Sequence, residues 1–261
     1  MPGPPATPQE STVEPSAAAD GSSHPRPLDP RPALVGLAHG SRHADGTASI
    51  TSLMSVAAAA GEVDAEAAFL DLAAPDLITV ASRLVAAGHR RAVVVPLLFT
   101  VAFHATVDVP EAVEQAVAET GLELLVSDIL GTGPDVEDLV RASMAAAGVE
   151  PTTSVLLFAV GSSNPAANDA VHDLAARLSH ARPGAVRAAF GTTDPRVPAV
   201  LRELGEPVAV VPLFLSPGLL LEPIQRLTAD RGWTLAPPLG DLAAPLVLRR
   251  YDRARLGAEL R

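Results

Sequence analysis

Two histidines and two aspartates stand where the sequence predicts that the strands of a parallel sheet end. His39 follows the apolar segment ALVGLA at residues 33–38, Asp71 closes a second apolar segment, and His104 and Asp108 follow a third. Open parallel sheets bind ligands beyond the carboxyl ends of their strands. We therefore expect these side chains to meet at one edge, although the two histidines are 65 positions apart. Imidazole and carboxylate together suit iron, cobalt, nickel or zinc.

Each of these residues also has a structural interpretation. Asp71 could be a turn residue, Asp108 could cap the helix that follows it, and Arg42 could form a surface ion pair. The pair Gly40-Ser41 could be only a tight turn, because the segment lacks the glycine density and the lysine of a phosphate-binding loop. A lone histidine after a strand is usually structural, whereas two at one sheet edge favour function. The remaining histidines are expected to be structural or solvated: His24, His43, His89, His172 and His180.

The composition excludes several kinds of chemistry. The 261 residues include no cysteine, and all 19 basic residues are arginine, so thiolate, disulfide, iron–sulfur and lysine Schiff-base chemistry are unavailable. The net charge of −11 argues against a nucleic-acid partner, which usually meets a basic face. A hydrophobic fraction of 48% is enough for one large domain or two small ones.

The N-terminal segment and the most apolar stretch of the chain bear on where in the cell the protein is expected. Residues 1–31 are rich in Pro, Ser, Ala and acidic residues and are predicted to be a disordered tail without a secretory signal. The stretch Pro207–Leu221 is too short and too interrupted by proline to span a bilayer. We expect a cytoplasmic protein without a membrane partner.

Apolar runs alternate with alanine-rich amphipathic runs throughout the rest of the first half. Apolar runs without internal alternation suit strands that are covered on both faces, and their alternation with helices predicts a parallel α/β sheet. The predicted strands are residues 33–38, 64–72, 92–98 and 122–129, and the predicted helices are residues 44–60, 75–87, 109–119 and 134–147.

The second half of the chain repeats the first. Leu37-Ala-His-Gly-Ser matches Phe158-Ala-Val-Gly-Ser, and Val94-Val-Pro-Leu-Leu-Phe matches Val210-Val-Pro-Leu-Phe-Leu. The glycines of the first pair are 121 residues apart, and so are Phe69 and Phe190. We predict an α/β fold of two duplicated, four-stranded parallel-sheet domains, chelatase-like and flavodoxin-like in their layers, which face a central cleft. Their predicted ranges are 32–149 and 150–261, the first carrying the histidines and the second lacking them.

Three ordered motifs resemble a known family. They are Leu37-Ala-His-Gly-Ser-Arg42, then Ala68-Phe-Leu-Asp-Leu72 with Pro75, and then Val95-Pro-Leu-Leu-Phe with His104 and Asp108-Val-Pro110. Together they are similar to the class II chelatases, specifically the sirohydrochlorin cobalto- and ferrochelatases, over nearly all of the chain from Pro32 onward. Histidine phosphatases also carry a His-Gly pair after their first strand, but with arginine before the histidine, where this chain has Ala38.

The resemblance implies an activity and a set of roles. His39 and His104 would bind the incoming metal and assist deprotonation of the ring, in a lyase reaction whose metal (Fe²⁺, Co²⁺ or Ni²⁺) is a substrate, with no tightly bound cofactor. Asp71 falls where the family carries an acidic residue, often glutamate, and would orient a histidine or relay a proton. Arg42 and the backbone N–H groups from Gly40 through Ser41 could bind a carboxylate of the sirohydrochlorin-type tetrapyrrole.

Two other classes compete with a chelatase. One is a tetrapyrrole or metal carrier of the same fold that performs no turnover, and the other is a two-lobed periplasmic-type binding protein, which the lack of a signal peptide disfavours.

The repeat predicts that only the first half is active. Val160 stands at the position of His39, Thr192 at that of Asp71, Leu220 at that of His104 and Ile224 at that of Asp108. The segment Phe214–Leu221 could pack against the face of the ring or could be only core.

Overall fold

A computed structural model describes residues 1, 3, 31–101 and 107–259. Most of the predicted tail, including His24, lies outside these residues, and so does His104. No helix in the described part of the chain is long and apolar enough to cross a membrane.

The first half forms a four-stranded parallel sheet with the strand order β2-β1-β3-β4. Its central strand β1 is buried along its whole length, as its unbroken apolar sequence requires. The bounds are β1 Ala33–Ala38, α1 Ala44–Gly61, β2 Ala65–Phe69, α2 Leu77–Ala86, β3 Arg91–Pro96, α3 Val109–Thr120, β4 Glu123–Val126 and α4 Pro134–Ala146.

The second half forms a parallel sheet of its own with the strand order β6-β5-β7. The prediction of a duplicated α/β fold with two parallel sheets is therefore confirmed. The bounds are β5 Ser154–Ala159, α5 Pro165–His180, β6 Val186–Phe190, α6 Val197–Leu204, β7 Val208–Pro212, α7 Glu222–Arg231 and α8 Ala244–Glu259.

The prediction of four strands in each half is wrong for the second. Where a fourth strand was expected, only Leu235 forms a bridge, to Val210 of β7, within the described chain. Two prolines follow directly, Pro237 and Pro238. Because proline has no N–H to donate, the ladder ends after Ala236, whose N–H still reaches the Val210 carbonyl at 2.9 Å.

The two halves exchange their last helices. Helix α4 follows the first sheet but packs on α5 and β7 of the second, whereas α8, at the end of the chain, packs on α1 and β3 of the first. One hydrophobic cluster accordingly runs through both halves, with Val140 of α4 and Val247 of α8 among its members. The sequence-based domain limits had assigned α8 to the second half.

Buried polar contacts fix α8 in its place. The Tyr251 hydroxyl donates to the Pro32 carbonyl at 2.6 Å, and Arg250 donates to the Ile129 carbonyl at 2.8 Å and to Asp135 at 2.6 Å. Burial acts to raise the pKa of Asp135, but the hydrogen bond and positive charge of Arg250 outweigh it, so that pKa lies below its usual range. This ion pair therefore stabilises the fold at neutral pH and weakens as the pH falls. The exchanged helices tie the halves together and so fix the walls of the cleft between them.

Candidate active site

A cavity of about 450 Å³ lies between the two sheets. It is lined by residues at the carboxyl ends of β1 and β3 on one side and of β5 and β7 on the other. This is the sheet edge at which parallel α/β folds bind their ligands. The apolar members of its lining include Leu97 and Phe99 from the first half and Leu213 and Phe214 from the second.

His39 lies at the wall that the first half contributes. It follows β1 directly, is half-buried, and is the one titratable residue among the described residues that line the cavity. Its carbonyl accepts the Asp71 N–H at 2.9 Å, which continues the pairing of β1 and β2 past the last strand residues. The predicted position of His39 at a sheet edge is thus the position that the structure gives it.

The turn after His39 depends on a close backbone approach. Gly40 has φ +100°, and a Cβ added to it would stand 1.8 Å from the Asp71 carbonyl oxygen. The Ser41 hydroxyl accepts the His43 N–H at 3.0 Å, and α1 begins at the next residue. Gly40 and Ser41 both line the cavity, at the start of a helix as predicted.

The other sequence-predicted residues of the site do not line the cavity in the described chain. Arg42 is exposed beyond the turn. Asp71 is also exposed, and its Oδ1 accepts the Leu72 N–H at 2.7 Å, so its carboxylate makes the contact of a turn residue. Asp108 occupies the N-cap position of α3, but its side chain accepts no capping hydrogen bond there, contrary to the structural interpretation of this residue.

The described residues include no group of three or more His, Asp or Glu placed to hold a metal ion. His104, the second predicted ligand, lies outside them. The described histidines other than His39 are absent from the cavity lining. His89 pairs with Asp64 at 3.1 Å, and His172 packs edge-on against Phe190 with ring centroids 5.3 Å apart.

The second half repeats the turn but not its histidine. Gly161 has φ +90°, and the Ser162 hydroxyl accepts the Asn164 N–H at 3.0 Å, as Ser41 does for His43. The Val160 carbonyl accepts the Thr192 N–H at 2.8 Å, as the His39 carbonyl does for Asp71. The geometry supports the sequence alignment of the two halves, and it places Val160, an apolar residue 43% exposed, in the lining opposite His39.

The segment Phe214–Leu221 is divided between the cavity lining and the core. Phe214 and Leu215 line the cavity, and the Phe214 ring stacks on Phe158 with centroids 5.6 Å apart. Leu221 belongs instead to the core on the outer face of the second sheet and is 2% exposed. The apolar segment thus supplies a cavity wall at its start and core at its end.

Two asparagines of the second half also line the cavity, and sequence reasoning missed both. The Asn168 side chain accepts the Ser162 N–H at 2.9 Å and donates to the Ser162 carbonyl at 2.8 Å. Asn164 caps α5 by accepting the Ala166 N–H at 3.1 Å. A signal for Asn164 existed, because asparagine followed by Pro165 is a typical start of a helix.

Comparison with known proteins agrees with the fold. The CbiX family model matches residues 33–147 and again residues 154–251. SirB from Bacillus subtilis with Fe³⁺ is 26% identical, with a TM-score of 0.74 over 88% of this chain and 97% of SirB. The cobalt complex of SirB from Bacillus subtilis subspecies spizizenii is 24% identical, with a TM-score of 0.70 over the same shares of the two chains.

A third solved structure is CbiX, the terminal enzyme for biosynthesis of siroheme in denitrifying bacteria. It is 18% identical, with a TM-score of 0.63 over 85% of this chain and 99% of that one. No protein with a curated description matches the sequence.

The duplicated parallel sheets and the histidine at the edge of their cleft define a protein of the class II chelatase type, as the sequence motifs predicted. The chain belongs to the CbiX family, whose model covers it in two consecutive copies.

Proposed function

We propose that this chelatase inserts a divalent metal ion into a sirohydrochlorin-type tetrapyrrole, as a cytoplasmic step of sirohaem or cobalamin biosynthesis. The observation that carries the proposal is the cavity between the two sheets of a CbiX-family chain, with His39 at its edge. The solved SirB structures hold Fe³⁺ and cobalt, which supports iron or cobalt as the metal substrate here. The metal and the ring are both substrates, and the reaction requires no resident cofactor.

Insertion exchanges one divalent cation for the two protons that leave the pyrrole nitrogens. We assign His39 and His104 to hold the metal on one face of the ring and, as the metal moves from them to the ring nitrogens, to accept those protons. Neutral imidazole suits both tasks, because it is a metal ligand and its ordinary pKa lies near the working pH. His39 has the required location at the cavity wall. The assignment of His104 rests on the sequence motif and on its place after β3.

The ring would lie between two largely apolar walls. Phe99 of the first half and Phe214 of the second line opposite sides of the cavity and suit the faces of a macrocycle. The turn of Gly40 and Ser41 offers backbone N–H groups and a hydroxyl to a substrate carboxylate, and the exposed Arg42 adds positive charge at the rim.

Asp71 acts in this proposal as a positioning residue. The Asp71 N–H donates to the His39 carbonyl, and the Asp71 carbonyl oxygen lies close against Gly40. These backbone contacts fix the segment from which the histidine side chain projects. The Asp71 carboxylate accepts the N–H of the next residue, Leu72, in the turn that follows β2.

One metal site per chain is expected, because the second half carries Val160 and Leu220 at the positions of the two histidines, and neither side chain can bind a metal or take a proton. Anaerobic titration of the full chain with Co²⁺, followed by calorimetry, should give a stoichiometry of one. A His39→Ala/His104→Ala double variant should lose that site.

A Val160→Ala variant is the matched control, since it alters the equivalent position of the second half and should keep the site. Two equivalent sites, or a site that survives in the double variant, would contradict the assignment of metal binding to the first half.

A further inference from the structure

Asn164 of the second half reaches across the cleft to the first. Its Nδ2 donates to the Val101 carbonyl at 3.2 Å, although the two residues are 63 positions apart in the chain. Val101 ends the described part of the segment that leaves β3, and it stands three residues before His104. The hydrogen bond therefore joins the two walls of the cavity at the segment that leads to a proposed metal ligand.

We propose that Asn164 is a positioning residue of the chelatase site, which holds the cavity wall formed by Leu97–Val101 against the second half. The expected effect on metal insertion rests on the proposed function, whereas the hydrogen bond across the cleft does not. This role of Asn164 gives the second half, which lacks counterparts of His39 and His104, a part in positioning the site beyond that of an apolar wall.

The Asn164 side chain is set for this contact by bonds at its own end. Its N–H donates to the Ser162 hydroxyl at 3.0 Å, and its Oδ1 accepts the Ala166 N–H at 3.1 Å as the cap of α5. Since the oxygen is committed to an N–H donor, the amide nitrogen must face the Val101 carbonyl, which only accepts. Two hydrogen bonds thus orient this side chain, and the cap to Ala166 remains if the cross-cleft bond is removed, as does the backbone bond to Ser162.

The wall that Asn164 holds has its other anchors only at its beginning, as far as the described hydrogen bonds go. The Leu97 N–H donates to the Leu37 carbonyl at 2.8 Å, and the Leu98 carbonyl accepts the Gly131 N–H at 3.2 Å. Further along, Phe99 and Thr100 line the cavity, and Val101 is 54% exposed. The Asn164 bond secures the far end of the wall, three residues before His104 in the sequence.

The equivalent residue of the first half makes no such contact with the described residues. His43 stands 121 positions before Asn164, at the N-cap of α1, and its side chain makes no capping hydrogen bond. Its Nδ1 lies 3.9 Å from Asp45, on its own helix. The cross-cleft bond is therefore a difference between the two copies, in the same turn in which the first copy carries the proposed ligand His39.

Three substitutions separate positioning from capping. Asn164→Asp and Asn164→Ser both keep an oxygen that can cap α5, but the carboxylate has no N–H and the serine is too short to span the cleft. Asn164→Ala removes the cap and the cross-cleft bond together. Hydrogen–deuterium exchange of a peptide containing residues 97–101 reports on the wall, thermal melting reports on the cap, and anaerobic cobalt insertion into sirohydrochlorin reports on the chemistry.

We expect Asn164→Asp and Asn164→Ser to raise exchange in the 97–101 peptide about 3- to 10-fold, the range of one net hydrogen bond, with exchange in α2 unchanged. Both should lower kcat for metal insertion by a similar factor and melt within about 2 °C of the wild type. Asn164→Ala should show the same two effects and should also melt at a lower temperature, because it removes the cap of α5.

If the Asp and Ser variants exchange and turn over like the wild type, and only Asn164→Ala is altered, Asn164 is a helix cap and the proposal is overturned. If the wild type inserts no metal, the proposed function fails, while the exchange comparison still decides whether Asn164 holds the wall.

Discussion

A His39→Ala variant is expected to fold like the wild type and to insert metal about 10²- to 10⁴-fold more slowly, the range that a general base contributes. The fold should survive because the hydrogen bond from the Asp71 N–H is accepted by the backbone carbonyl of residue 39, which alanine keeps. The rate should fall because His39 is the one titratable residue among the described residues that line the cavity. Steady-state rates of cobalt insertion into sirohydrochlorin, measured anaerobically, give the result.

His39→Gln and Val160→Ala complete this experiment. Glutamine keeps a polar side chain but cannot take a proton at neutral pH, so it should be nearly as slow as alanine. Val160→Ala makes a truncation at the equivalent position of the second half and should change the rate less than about 3-fold, since it removes only two methyl groups from one wall. Equal rates in the His39→Ala and Val160→Ala variants would remove His39 from the mechanism.

Gly40→Ala is expected to reduce the free energy of unfolding by about 2–5 kcal/mol. At a temperature at which the variant is still folded, we expect it to have lost most of its metal-insertion activity. Two causes add. A φ of +100° strains any residue with a Cβ, and that Cβ would overlap the Asp71 carbonyl oxygen at 1.8 Å. Relief of the overlap must move either Asp71 or the turn, and both movements displace His39. Chemical denaturation and metal-insertion rates are the two measurements.

Gly148→Ala is the matched control for Gly40→Ala. Gly148 also has a positive φ, +68°, but an added Cβ would meet nothing within 4 Å. Its substitution should therefore cost only the conformational part, about 1–2 kcal/mol, with an unchanged insertion rate. If the two variants lost equal stability, the close approach of Gly40 to Asp71 would have no energetic consequence.

The sequence predicted the first sheet well because its central strands β1 and β3 are covered on both faces. An unbroken apolar run such as residues 33–38 has one plausible structure between two helical patterns, and β1 has those bounds. The predicted strand 64–72 was too long, since β2 ends at Phe69 and the chain turns at Leu72, which has φ +63°. A turn that uses a positive φ at leucine leaves no compositional signal.

The exchange of helices could not be predicted from periodicity. The pattern of α8 shows that one face is apolar, but it does not show which sheet that face covers, and a helix at the end of the second repeat is most simply assigned to the second sheet. The contacts that decide the matter are specific and distant in sequence, such as the Tyr251 hydroxyl on the Pro32 carbonyl.

The site was predicted in part. The turn after His39 lies at the cleft, as expected for ligand sites beyond the carboxyl ends of parallel strands. The repeat also identified Val160 and Thr192 as the counterparts of His39 and Asp71. The direction of the Asp71 carboxylate, which turns to the Leu72 N–H, depends on local hydrogen bonding that residue type does not reveal. The role of His104 remains a prediction from its motif.

Anaerobic incubation of sirohydrochlorin with Fe²⁺, Co²⁺ and Ni²⁺ in turn, followed by the absorption spectrum of the ring, decides whether this chain is a chelatase with one active centre in its first half. The assignment of chelatase activity to the first half requires that the wild-type chain accelerate insertion of at least one of these metals over the spontaneous rate, for many turnovers per chain, and that the His39→Ala/His104→Ala double variant not do so. Insertion at the spontaneous rate with all three metals, or full turnover by the double variant, would contradict it.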